Sequence, residues 1–262
     1  MAEGISVVKV SGHCLDDSDL IAQFARIVAR SDEQLVIVHG GGIEISQLQR
    51  KLEIEPKYID GLRVTDADSL ALVEMVLCGS VNKRLVRYLL AAGVDALGLS
   101  GVDRGLVRAR KMRHKSRDMA YTGEVVSVRG EVIADLLALG VTPVVAPVSV
   151  GEGSNFNLNA DPVASAIAAA IGADEVVFIS NVAGVMADGK RLAKLTRKRA
   201  LALIENGVIQ GGMIPKVESA LDVLLSGVPQ AVITDMAGWA ERGGTTFIGS
   251  KAESRVREEQ CQ

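Results

Sequence analysis

Short apolar runs recur along the chain, separated by segments whose apolar residues return at helical spacing. Residues 5–10 (ISVVKV) and 35–38 (LVIV) are apolar almost throughout, as strands buried on both faces are. Between them, residues 18–29 carry a helical stripe, so the first 38 residues predict a βαβ unit. Further strand-like runs at 94–99, 141–146, 175–180 and 230–233 alternate with helix-like segments at 66–92, 161–171, 197–206 and 216–226. The alternation predicts an α/β fold with a mostly parallel sheet and helices on both faces.

Residues 105–129 break this rhythm. They alternate, are basic and lack a helical stripe, which predicts an antiparallel hairpin projecting from the sheet and able to act as a lid. Residues 151–157 (GEGSNFN) and 184–191 read as loops, and residues 251–262 as a polar tail.

Composition narrows the function classes. A formal charge of −3 and a pI near 5.7 give no global basic field, so no nucleic-acid partner is expected. Cys14, Cys78 and Cys261 lie far apart, suggesting neither a zinc site nor a disulfide framework, and a reducing cytoplasm is the expected compartment. No apolar run approaches the roughly 18 residues a membrane span needs, so neither membrane insertion nor secretion is expected.

Candidate chemistry collects around glycines. Gly40, Gly41 and Gly42 follow a buried strand and precede a helix from about Ile43, where backbone amides and a helix N-terminus can cradle an anion. The plainer alternative is a tight strand-to-helix turn. Two familiar phosphate loops fail: Ile45 breaks GxGxxG, and Arg191 follows the only Gly-Lys pair. A second pair, Gly211 and Gly212, stands before Pro215 and Lys216 in the first turn of another helix, again bringing amides and an ammonium together. Lys9 interrupts an apolar strand; it either reaches the strand end to meet an anion or sits on an edge in solvent. Asp161 before Pro162 reads as a helix N-cap, and with Asn157 and Asn159 it could also orient cations and a substrate; the roles are compatible.

From about residue 5 to 249, seven motifs in order carry a resemblance: VVKVSG (7–12), VHGGG (38–42), DGLRVTD (60–66), EMVLCGSVNK (74–83), YTGEV (121–125), NFNLNAD (155–161) and GVIQGGMIPKVESAL (207–221). Together they resemble the amino acid kinase family, and within it the acetylglutamate kinases. The resemblance implies a three-layer αβα sandwich with an open, mostly parallel sheet, the carbamate kinase-like fold. It implies an acyl-substrate and dimerisation lobe at 1–172 and a nucleotide lobe at 173–250. It also implies transfer of the γ-phosphoryl group of ATP to the γ-carboxylate of N-acetyl-L-glutamate in arginine biosynthesis, by a homodimer.

By matching motifs, Lys9 and Lys216 would neutralise the moving phosphoryl group and Asp161 would hold both ammonium groups. Gly12, Gly40 and Gly41 would offer amides to the reacting oxygens, and Ser180, Gly211 and Gly212 would lie on the ATP side. Arg63 would clamp the α-carboxylate and Asn157 would contact the acetylated amino acid. Mg²⁺ would be held by nucleotide phosphates and water rather than by a protein cage. The chemistry asks for these residue types independently: two anions must meet in line, so positioning and charge stabilisation dominate, and a carboxylate nucleophile needs no general base.

Some positions depart from the family. Ser11 stands where glycine is common, and Ser180–Asn181 where acetylglutamate kinases usually carry Thr-Asp. The second replacement also occurs in kinases acting on aminoadipate or glutamate attached to a small acidic carrier protein. Arg108, Arg110, Lys111, Arg113, His114, Lys115 and Arg117 could steer such a partner, or form a solvated lid face. DGLRVTD and GGMIPK favour the small acetylated substrate. A silent regulatory or scaffold subunit is a third reading, opposed by Lys9, Asp161 and Lys216 occurring together. Arginine-inhibited members carry an extra N-terminal helix; with the first strand beginning near Ile5, the expectation is an arginine-insensitive dimer.

Overall fold

The computed structural model describes residues 4–249; the tail at 251–262 lies outside the described residues. β1 (Ile5–Val10), α1 (Gly12–Leu15), α2 (Ser18–Val28) and β2 (Gln34–His39) form the first unit, followed by α3 (Gly42–Lys51). A small hairpin of β3 (Lys57–Ile59) and β4 (Leu62–Val64) comes next. Its turn is Asp60–Gly61, both at positive φ (48° and 79°), the two-residue geometry that an Asp-Gly pair favours.

One helical run then contains α4 (Ala67–Glu74), a π-helical stretch (Met75–Val81) and α5 (Asn82–Ala91), leading to β5 (Ala96–Gly101). β6 (Val107–Lys111), β7 (Thr122–Val128), α6 (Gly130–Ala138), β8 (Thr142–Val150), β9 (Asn155–Leu158), α7 (Ala160–Ile171) and β10 (Glu175–Ile179) follow. The remainder comprises short β11 (Met186–Ala187) and β12 (Lys190–Arg191), then β13 (Lys194–Thr196), α8 (Arg197–Glu205), α9 (Met213–Leu225), β14 (Gln230–Thr234), α10 (Met236–Ala240) and β15 (Thr245–Ile248).

The main sheet runs β13-β15-β14-β10-β1-β2-β8-β6-β7-β9, with β5 also on β8. From β14 to β8 it is parallel, and β14–β15, β6–β7 and β8–β9 are antiparallel. Alternate residues of one strand feed opposite layers. Val7 joins a core with Val163, Ile167, Val217 and Leu221, whereas Val8 and Val10 join Phe24, Val73 and Leu85 on the other face. The αβα sandwich follows from that alternation.

Three expectations change. The 105–129 hairpin does not project: β6 meets β8 at Arg108↔Val150, and β7 meets β9 at Thr122↔Asn157 and Gly123↔Leu158. Val107 and Ala109 bury against the core while Arg108, Arg110 and Lys111 face solvent on the outer face of a sheet strand; Arg113, His114, Lys115 and Arg117 lie in the β6–β7 connection. Only the β6–β7 connection remains as a candidate lid. Second, the supposed loop 151–157 ends in β9, because Phe156 and Leu158 alternate inward (7% and 5% exposed). Third, α9 begins at Met213, so Pro215 is its third residue, still in the turn where a missing amide costs no helical bond.

Candidate active site

Lys9 lies in the middle of the sheet, beside Val38 of β2 and Phe178 of β10, which removes the edge-strand reading. Its Nζ reaches Asp161 Oδ1 at 2.7 Å, both side chains being less than one-fifth exposed. Asp161 is not the cap of α7. Asn159 takes that role, accepting from the Asp161 amide at 3.2 Å, and Asp161 sits in the first turn with its carboxylate directed at Lys9.

Lys216, half-buried on α9, completes the cluster. Its pKa is lowered by burial and then by the charge of Lys9, with Asp161 acting in the opposite direction. One turn further along α9, Ser219 Oγ donates to the Pro215 carbonyl at 2.9 Å and lies 3.4 Å from Asp161 Oδ2. Asp161 is thus paired with Lys9, and Lys216 lies near enough for both charges to act on it in opposite directions.

Beside this cluster opens a cavity of about 570 Å³ whose lining includes Lys9, Gly12, Gly40, Gly41, Arg63 and Asn157. Gly12 approaches the glycine turn closely: a Cβ on it would lie 3.6 Å from the Gly41 and Gly42 nitrogens. The three glycines of the turn differ in what they do. The Gly40 amide donates to the Val10 carbonyl at 3.2 Å, so that amide is engaged within the protein. Gly41 is crowded: a Cβ there would stand 2.6 Å from Leu77 Cδ2 and 3.2 Å from Val81 Cγ2 of the π-helical stretch, so the buried Leu77 would have to shift. Gly42 has open space and begins α3, whose N-terminus faces the cavity.

Arg63 projects from β4. Its Nη1 donates to Gln49 Oε1, and its Nη2 donates to the Gly42 carbonyl at 3.1 Å and Ser46 Oγ at 2.7 Å. The Tyr58 ring covers the guanidinium at 5.0 Å. Burial holds this guanidinium below the ordinary arginine value. A threonine network that sequence reasoning missed joins Arg63 to Asn157. Thr122 Oγ1 donates to the Arg63 carbonyl at 2.6 Å and accepts from the Thr65 amide, while Asn157 Nδ2 donates to Thr65 Oγ1 at 2.9 Å. Its only outward signal was the position of Thr65 and Thr122 inside the quoted motifs.

His39 was also unassigned. Fully buried behind the glycine turn, it bonds the Gly40 carbonyl at 3.0 Å and Asn82 Nδ2 at 3.1 Å, and burial lowers its pKa to about 4. A histidine ending an otherwise apolar strand directly before three glycines was the available hint.

Ser180, Gly211 and Gly212 do not line the cavity. Ser180 follows β10, and its hydroxyl is buried with no partner among the described residues. Gly211, at φ 53°, turns the chain into α9. Of the seven basic residues on the hairpin, Arg110, Lys111 and His114 already meet Glu124, Asp118 and Asp60. Part of that charge is compensated within the chain. Among the described residues no group of three or more His, Cys, Asp or Glu could hold a metal ion, and no helix is long and apolar enough to cross a membrane.

The sequence profile described as the amino acid kinase family matches residues 4–235. An acetylglutamate kinase of Roseiflexus sp. (strain RS-1) is 50% identical over 242 residues, covering 92% of each chain. Among solved structures, smu.665 from Streptococcus mutans UA159 superposes with a TM-score of 0.78 at 33% identity, covering 93% of this chain and 98% of that one. A carbamate kinase from Giardia shares the fold, with a TM-score of 0.68 at 14% identity over 95% of this chain and all of that one.

Proposed function

The chain belongs to the amino acid kinase family, and we propose that it transfers the γ-phosphoryl group of ATP to the γ-carboxylate of N-acetyl-L-glutamate, in arginine biosynthesis. The observation that carries the reading is the Lys9–Asp161 pair, with Lys216 in its field, beside a cavity lined by Lys9, Arg63 and Asn157. A carboxylate attacking a triphosphate gathers negative charge, and two fixed ammonium groups offset it most where the oxygens crowd together.

In this reading Lys9 meets the phosphoryl oxygens from the acyl side and Lys216 from the nucleotide side, while Asp161 keeps the two apart and oriented. Gly12 and Gly41 offer amides; Gly40, whose amide is engaged, contributes by shaping the turn. Arg63 receives the α-carboxylate. Asn157, whose Nδ2 is bound to Thr65, keeps Oδ1 for the substrate's amide N–H.

The orphaned Ser180 hydroxyl and the glycine turn at Gly211–Gly212 suit the phosphates of ATP at the start of α9. Mg²⁺ carried on those phosphates would add Lewis-acid charge neutralisation. Residues 1–172 then serve the acyl substrate and 173–250 the nucleotide. Among the described residues β5 pairs only with β8, and Leu97 on it and Leu90 near the end of α5 are exposed, which supports a homodimer built there. Two free cysteines, Cys14 and Cys78, suit a reducing cytoplasm.

The test is ADP release from MgATP with N-acetyl-L-glutamate, N-acetyl-L-aminoadipate or glutamate, trapping the acyl phosphate with hydroxylamine. Turnover on N-acetyl-L-glutamate above the others is expected. No turnover on any free amino acid would overturn the reading.

A further inference from the structure

A buried amide stands behind the substrate-facing wall of the cavity. Gln49, on α3, is 1% exposed and does not line the cavity itself. Its Oε1 accepts from Arg63 Nη1, and its Nε2 donates to Ser69 Oγ at 2.9 Å. Ser69 is likewise buried, and its own amide is fixed by the Asp66 carboxylate at 3.0 Å in the first turn of α4. An apolar residue would fill this helix position without needing partners, whereas a buried amide is tolerated only with both ends bonded. The orientation is forced, because a guanidinium has no acceptor and so must meet the amide oxygen.

The donors of Arg63 show what this bond achieves. Both Nη2 hydrogens go to the Gly42 carbonyl and Ser46, and one Nη1 hydrogen goes to Gln49. That leaves the Nε hydrogen and one Nη1 hydrogen of the five a guanidinium carries. Without Gln49 the Nη1 end would lose its anchor, and the plane of the guanidinium would be fixed only along its Nη2 edge.

We propose that Gln49 is a positioning residue for acyl-substrate recognition: through a Ser69–Gln49–Arg63 relay it sets the plane in which Arg63 presents its free donors to a carboxylate. The inference rests on Arg63 being the carboxylate clamp proposed above. It predicts an effect on substrate affinity that packing alone does not produce.

The test is steady-state kinetics with thermal unfolding on the full chain. Gln49→Leu should raise the KM for the acyl substrate about tenfold, as loss of one charge-assisted bond does, with kcat and the KM for ATP changed less than about twofold. Gln49→Leu with Ser69→Ala, which removes the stranded hydroxyl, should recover Tm but keep the raised acyl KM. Gln49→Glu, which keeps an acceptor, should bring that KM back to within about threefold of the parent. Should Gln49→Leu fail to fold, Gln49→Met carries the same comparison. An acyl KM within twofold of the parent in the apolar variants, or one restored together with Tm in the double variant, would overturn the relay. Arg63→Lys separates the two levels. If it raises the acyl KM and Gln49→Leu does not, the relay fails and the clamp stands; if it leaves that KM unmoved, the clamp fails and the relay with it.

Discussion

Acid should loosen the glycine turn through His39. Asn82 Nδ2 lies within hydrogen-bond distance of the Val144 carbonyl, the Leu99 carbonyl and His39 Nε2, so its two N–H groups serve three acceptors; a nitrogen with no lone pair to offer leaves His39 Nε2 to accept. The proton is then on Nδ1, donated to the Gly40 carbonyl. A second proton on Nε2 would face the Asn82 amide donor in a fully buried site. Burial accordingly lowers the pKa to about 4, against about 6.5 in an unfolded chain. Below pH 6.5 the unfolded chain binds a proton that the folded one refuses. The contribution is therefore intact above pH 6.5 and is lost as pH falls toward 4. With those two values the loss is about 2 kcal/mol at pH 5 and about 3 kcal/mol at pH 4. The assay is urea unfolding followed by far-ultraviolet circular dichroism from pH 7.5 to 5 at one protomer concentration, on the parent and on His39→Asn. The variant keeps a donor for Gly40 but does not titrate, so carboxylates and the other histidines cancel in the difference. The parent should lose about 2 kcal/mol relative to the variant by pH 5. A difference constant within about 0.5 kcal/mol over that range would refute the buried neutral imidazole.

Three further outcomes test the site itself. Asp161→Asn should lower kcat by about 100-fold or more while each KM moves less than about threefold, because the lysines lose their orienting charge; unchanged kcat in the ADP-release assay would remove Asp161 from the machinery. Arg63→Lys should raise the acyl KM about tenfold and leave that for ATP within twofold, since an ammonium cannot replace the fork held by Gln49 and Ser46; equal shifts in both would sink the clamp. Gly41→Ala should cost about 1–3 kcal/mol by forcing its Cβ against Leu77, whereas Gly42→Ala, with open space, should stay within about 0.5 kcal/mol. Equal losses in thermal or urea unfolding would show that close approach is not what requires glycine at 41.

What the sequence revealed and hid follows from range. β1, β2, β8 and β10 were legible because strands buried on both faces are apolar runs, and α2 and α7 because each carries one stripe. β9 was hidden: in NFNL two asparagines suggest a loop, and only the inward pair Phe156 and Leu158 betrays a strand. β3 and β4, three residues each, are too short to show a period. Sheet membership of the basic hairpin depends on partners such as Val150 and Asn157, far off in sequence. Within the site, Lys9 was legible as an anomaly in an apolar strand. The obligation on Gly41 was not, since it comes from Leu77 and Val81 in a later helix. Gln49 gave no signal, because a polar residue on a helix ordinarily faces water.

Asp161 ties these levels together. Had it capped α7, its oxygens would have been taken by helix amides, and Lys9 would face a carboxylate already in use. Asn159 takes the cap instead, and Pro162, the next residue in the first turn, brings no N–H to compete. Both carboxylate oxygens are therefore available to residues distant in sequence: Oδ1 meets Lys9 of β1, and Oδ2 faces α9, 3.4 Å from Ser219 Oγ. α7 packs against both β1 and α9, so the helix that carries Asp161 links the strand of Lys9 to the helix of Lys216. In the proposed reaction a shift of α9 relative to β1 would change the separation of the two lysines, and Asp161, on the helix that touches both elements, is the group placed to resist it.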